Sequence, residues 1–111
     1  MKLSITYIEL KRPLYFFSLS IQAMKIVKQL KSTTCKKNKN MGFWTKHYTM
    51  TLWEDENSMK EFVRSGAHLE AMKNSSKIAK EIKVLTIDSD GFLPWKEAKN
   101  RVVNQKNVLR N

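Results

Sequence analysis

Two histidines, one cysteine and a set of hydroxyl and aromatic side chains are what this 111-residue chain offers for chemistry. His68 stands near the start of a short helical segment, where an imidazole can bind a ligand or exchange a proton near neutral pH. A helix-start histidine that hydrogen-bonds locally accounts for it as well. His47, Thr49, Thr51 and Trp53 alternate along one run and so share one side of a strand. That mixture of imidazole, hydroxyl and indole suits a lined cavity as well as it suits solvent. Tyr7 and Thr49 can hydrogen-bond a bound polar group, and Phe62 and Met72 add apolar wall. The candidate site is therefore His68 and Trp53 for chemistry, with Tyr7, His47, Thr49, Thr51, Phe62 and Met72 lining a pocket. Structural duties cover the same residues: a strand histidine, satisfied sheet-face hydroxyls, a Trp53 wedge, and Met59, Phe62 and Met72 as core.

Other chemistries find no support. One cysteine and two separated histidines make no zinc pattern. Cys35 has no second cysteine for an intrachain disulfide. Its neighbouring lysines can lower a thiol pKa, yet no base stands beside it, and it reads as a reduced thiol. Paired carboxylates, a Ser/His/Asp set and a glycine-rich phosphate loop are all missing from the pattern. A reaction that needs none of these is cofactor-free oxygenation, in which a carbanion-like substrate supplies the electrons to oxygen. The protein then has to bind a flat apolar molecule, deprotonate it and exclude water. No cofactor and no metal are expected.

Positioning these residues takes four kinds of segment. Leu3–Leu10 alternates, with Leu3, Ile5 and Tyr7 on one side and Ser4, Thr6 and Ile8 on the other, a strand. Lys11-Arg12-Pro13 ends it. From Leu14 to Ser32 the period becomes helical: Phe16, Leu19, Ala23, Ile26 and Leu30 form one stripe, widened by Phe17, Met24 and Val27. Leu14-Tyr15-Phe16-Phe17 is apolar all round and reads as a partner contact; a membrane-surface role for it is the less expected alternative, since the basic residues sit mostly at the other end of the helix. Ser32–Met41 reads as a lysine-rich loop with at most a short weak strand. Phe43–Trp53 is the strongest strand, with Trp44, Lys46, Tyr48, Met50 and Leu52 on the face opposite His47. Asp55 is a helix cap, with Met59, Phe62 and Val63 on the buried side. Gly66 breaks this helix, and Ser65 can cap a second short one. Glu81–Asp88 is the last strand, and Pro94 opens a final helix carrying Trp95, Ala98 and Val102. Residues 1–103 form one domain on this reading, and 104–111 a polar, fraying tail.

Composition agrees with a small globular domain: 41% apolar and 28% charged residues. The net charge of +11 is uneven, since nine Lys and Arg and no acid lie between Glu9 and Glu54. Such a region permits an anionic partner, although no groove-reading motif accompanies it and nucleic acid is not the expected one. Met1–Leu10 does not read as a secretory leader. Leu14–Ile21 falls far short of the roughly 20 residues that cross a bilayer. A cytoplasmic location is expected.

The order β–α–(β)–β–α–β plus a terminal helix is the ferredoxin-like split βαβ, an α+β fold with helices on one face of an antiparallel sheet. Its second face would be bare, and wetting it is costly. A homodimer that stacks two sheets is the expected remedy.

Thr49–Met72 resembles the strand–helix signature of the antibiotic-biosynthesis-monooxygenase-like superfamily, whose members form dimeric α+β barrels. The similarity is to an uncharacterised bacterial branch with a strand ending in LWED, then FVRSGAH, and a late PxWEEA-like element. Here those pieces are Leu52–Asp55, Phe62–His68 and Pro94–Ala98. The resemblance, over roughly residues 1–100, implies the fold and a small-molecule pocket. It also implies a range of activities, from cofactor-free oxygenation of aromatic polyketides to heme degradation. The heme-degrading type uses a Trp in this helix and a ligating His further on. Phe62 and Met72 hold those places here, which counts against heme. Two alternatives stand beside a monooxygenase-like pocket protein: a binding or regulatory module using the basic Lys11–Lys46 region, and a heme protein with His68 as axial ligand.

Overall fold

A computed structural model of the chain describes every residue except 32, 34, 65 and 108–111, and residues 67–70 by backbone alone. Four strands, β1 (Lys2–Leu10), β2 (Cys35–Phe43), β3 (Lys46–Trp53) and β4 (Ala79–Asp88), form one antiparallel sheet in the order β2-β3-β1-β4. Four helices accompany them: α1 (Phe16–Leu30), α2 (Glu56–Val63), α3 (Gly66–Ile78) and α4 (Trp95–Val103). The expected α+β, ferredoxin-like arrangement is present.

The two-residue period of β1 sorts the core into two layers. Leu3, Ile5 and Tyr7 join Met50 and Leu52 of β3 on one face and pack against Ala98 and Val102 of α4. On the other face Trp53 packs with Leu30 of α1 and Phe62 of α2. The sheet is therefore flanked on both sides, contrary to the expectation of helices on one face only. Phe92, Leu93 and Trp95 extend the α4 cover. Beneath it Leu3 and Ile5 are fully buried and Met50 is 1% exposed. The apolar face is thus covered within one chain, by the final helix with its Trp95, Ala98 and Val102.

Local chemistry explains the boundaries. Pro13 opens a short 3-10 turn, Pro13–Tyr15, that leads into α1. Asp55 Oδ1 accepts from the Ser58 backbone N–H at 2.8 Å, so the expected α2 cap is made. Gly66 has φ +57°, a conformation that suits glycine and lets the chain turn from α2 into α3. The Ser65 cap lies outside the described residues.

Two expectations change. Cys35–Phe43 is a full strand rather than a loop, because its register with β3 gives the polar backbone a partner along most of its length. As an edge strand it is rich in lysine, which discourages pairing with another sheet. Trp44 lies in the turn between β2 and β3 rather than in the strand, with φ +58°. Part of the expected tail is held as well. Asn107 Oδ1 accepts from the Ile82 N–H of edge strand β4 at 3.0 Å.

Candidate functional site

Register places two polar rows across the sheet face that looks toward α1 and α2. Thr86, Ser4, Thr51 and Asn38 stand side by side on β4, β1, β3 and β2, and Val84, Thr6, Thr49 and Asn40 form the next row. Ser4, Thr6, Thr49 and Thr51 are half-buried. Side chains directly opposite on neighbouring strands lie about 5 Å apart, so these hydroxyls form a compact patch of donors and acceptors.

An aromatic pair closes each end. Trp53 and Phe62 meet with ring centroids 5.2 Å apart. The Trp53 indole, 1% exposed, donates Nε1–H to Thr51 Oγ1 at 2.9 Å. At the other end the His47 ring stacks on Phe16 at 5.5 Å. Six residue steps along the strand separate Trp53 from His47, about 20 Å. Two open grooves lie along α1 beside this face. One, of about 430 Å³, runs between Ala23, Met24, Val27 and Lys28 of α1, Lys31 just after it, and Asn40 of β2. The other, of about 360 Å³, lies between Phe16 and Phe17 and the Phe43–Trp44 tip, with His47 in its wall.

The candidate residues do not all come together. Thr49, Thr51, His47 and Trp53 share the face as expected, and Phe62 joins them from α2. Tyr7 is on the opposite face, because it pairs with Tyr48 whereas Thr49 pairs with Thr6. Its ring lies 5.0 Å from that of Tyr48, on the α4 side. The two-residue period thus forbids the shared role proposed for Tyr7 and Thr49. Met72, 50% exposed on α3, is not brought into the core cluster that holds Phe62. The His68 side chain lies outside the described residues. Ser4, Thr6 and Thr86 were missed as site residues. Their alternation was legible, but only the register shows that they lie beside Thr49 and Thr51.

Electrostatics offer little acid–base machinery on this face. His47 donates Nε2–H to the Trp44 carbonyl at 3.0 Å, and its Nδ1 side abuts Gly42. Its Nε2 therefore serves the hairpin. Lys2 and Asp88 form an ion pair of 2.8 Å at the Trp53 end. The Asp88 carboxylate raises the Lys2 pKa and the ammonium lowers that of Asp88, so both stay charged. Burial pushes the Cys35 thiol up, and its S–H donates to the Lys37 carbonyl at 3.3 Å. It is a poor nucleophile. Among the described residues no cluster of three His, Cys, Asp or Glu could hold a metal. The arrangement can orient polar groups on a flat molecule and shield it between aromatic ends.

No protein-family model matches the chain, and no curated protein sequence matches it. Solved structures do. A conserved protein from Methanosarcina mazei Go1 superposes with TM-score 0.72 at 14% identity, over 80% of this chain and 92% of that one. A putative antibiotic biosynthesis monooxygenase from Deinococcus radiodurans gives 0.71 at 7% identity, over 85% and 97%. SnoaB, a cofactor-independent oxygenase from Streptomyces nogalater, gives 0.62 at 10% identity, over 84% and 96%. Two of these three carry an oxygenase name, and all three share the layout of strands and helices found here. The chain has the fold of the antibiotic biosynthesis monooxygenase proteins.

Proposed function

We propose that the sheet face carrying the hydroxyl rows, beside α1, binds a small apolar or aromatic molecule, and that the chain acts on it as a cofactor-independent monooxygenase. The observation that carries this reading is the pair of rows, Ser4–Thr51 and Thr6–Thr49, set between the Trp53–Phe62 and Phe16–His47 pairs. Hydroxyls there hold the polar substituents of a flat substrate, and the aromatic pair at one end holds its rings. The fold shared with SnoaB supports the reaction type. In that reaction the substrate loses a proton and passes electrons to O2. One oxygen atom enters as a carbonyl and the other leaves as water. His47 Nε2 is engaged within its hairpin, and we assign the proton acceptor to His68, with Trp53 as the closed end of the site. No heme or other cofactor enters this scheme.

Thermal-shift titration with a flat hydroxylated aromatic ketone, coupled to oxygen uptake, tests it. Thr49→Val should weaken binding about tenfold by leaving a ligand polar group unpaired. His68→Ala should abolish oxygen uptake while keeping the thermal shift. Absence of any shift across such ketones overturns the reading.

A homodimer and a cytoplasmic location belong to the same proposal. Stacking sheet on sheet requires α4 to leave its own sheet or to be exchanged with the partner's, since α4 now covers that face. A chain that sediments as a monomer at high concentration removes the dimer and leaves the pocket reading standing.

A further inference from the structure

The outward side of α1 and of the 3-10 turn before it carries apolar residues that stand exposed among the described residues. Leu14 is 71% exposed, Phe17 67%, Ile21 58% and Met24 73%. Their spacing of three, four and three places them in one row, about 15 Å long. The row continues across the second groove to the tip of the β2–β3 hairpin, where Phe43 is 85% and Trp44 67% exposed. Trp44 has φ +58° at the first position of a two-residue turn, a place that favours glycine. A bulky indole held there at a backbone cost, and held outward, points to use at a surface.

Around the row the charge has one sign. Lys11 and Arg12 precede α1, and Lys25, Lys28 and Lys31 follow on it, all exposed. Lys28 and Lys31 share the α1–β2 groove with Met24. None of these five cations has a carboxylate ion-pair partner among the described residues.

We propose that this face, α1 with the Phe43–Trp44 tip, docks onto the surface of an anionic lipid bilayer. The occupant follows from charge and from chemistry. A second copy would set this basic rim against itself, and like charges oppose such a contact. A nucleic acid would satisfy the cations and stack on Phe43 or Trp44, but it offers nothing to Leu14, Ile21 and Met24. A bilayer meets both demands, with acyl chains for the row and anionic headgroups for the rim. Tryptophan at the tip suits the headgroup boundary. No described helix is long and apolar enough to cross a membrane, so the contact is with its surface. This inference stands independently of the oxygenase reading.

The test is co-sedimentation of the intact chain with phosphatidylcholine vesicles, with and without phosphatidylglycerol, alongside tryptophan emission. Binding should require phosphatidylglycerol, weaken as salt rises, and shift the emission to the blue. Trp53 is already buried and Trp95 packs against the sheet core, so the shift should come chiefly from Trp44. Phe43→Ser with Trp44→Gly should lower vesicle binding about tenfold and abolish the shift, with unchanged circular dichroism. Lys28→Gln with Lys31→Gln should reduce the salt dependence. Binding equal on neutral vesicles overturns the proposal, as does unaltered binding by the tip variant. So does retention on an RNA homopolymer without vesicle binding, or a dimer that buries Trp44 in the absence of lipid.

Discussion

Trp53 is fastened to the sheet by Thr51, two residues earlier on the same strand face, through an Nε1–H to Oγ1 hydrogen bond of 2.9 Å. The bond matters because the indole is 1% exposed and has no water to turn to. Thr51→Val keeps the shape and removes the acceptor, which leaves a buried N–H unpaired. Denaturant titration should show a loss of about 1–3 kcal/mol. Thr51→Ser keeps the acceptor and should lose clearly less. Equal losses for the two variants would mean that the methyl group, not the hydroxyl, holds the ring.

Gly42 and His47 face each other across the β2–β3 hairpin with no room for a side chain between them. A Cβ on Gly42 would collide with the His47 ring, which is held by Phe16 and the Trp44 carbonyl. Gly42→Ala should therefore cost about 1–3 kcal/mol. The same substitution in a His47→Ala background should be close to neutral, a strong departure from additivity. An additive pair would show that the ring moves aside freely.

Much of this fold was legible because alternation and helical spacing are strong in β1, β3 and the inward stripe of α1. Leu30 and Ile26 do pack inward, as their spacing requires. Phe17 and Met24 do not, because a helix buries only one side and these two lie on the other. Spacing alone could not choose between the two sides, since both are apolar. Strand β2 was hidden for a different reason. Its lysines and asparagines carry no apolar alternation, and it is a strand because β3 offers it hydrogen bonds. The site was half legible for the same cause. Thr49 and Thr51 share a face by period, but the neighbours Ser4 and Thr6 follow only from register, and only register shows that Tyr7, on the Leu3 and Ile5 side of β1 as its alternation requires, lies across the sheet from Thr49.

Burial beneath α4 leaves a titration signature. Loss of hydration pushes the Tyr7 phenol up to about 12, with Glu9 adding a smaller push, and raises Tyr48 in the same direction. The unfolded chain titrates these phenols near 10. Folding stability from Tyr7 is thus complete below pH 10. It is lost as pH rises toward about 12, where the unfolded state has released the proton and the folded state still holds it. Denaturation midpoints should fall steadily over that window. Tyr7→Phe should flatten part of the fall. A tyrosinate absorbance titration in which every tyrosine ionises near pH 10 would contradict the burial.

Ala98 gives the sharpest test of where α4 lies. It is fully buried against the sheet, in the cluster with Leu3, Ile5 and Met50, whereas its neighbours Lys96 and Glu97 are exposed. Ala98→Leu adds three carbons to filled space and should cost about 1–3 kcal/mol, while Glu97→Leu should cost almost nothing. Ala98→Asp goes further, because a carboxylate there has no partner, and α4 should lift to give it water. The uncovered face, with Leu3, Ile5, Met50 and Leu52, then needs another cover, and a second sheet is the available one. Sedimentation should show Ala98→Asp shifted toward a dimer relative to the parent chain. If Ala98→Leu is neutral, α4 does not sit on this sheet. If Ala98→Asp stays folded and monomeric, the apolar face has no tendency to pair, and the dimeric barrel is removed with it.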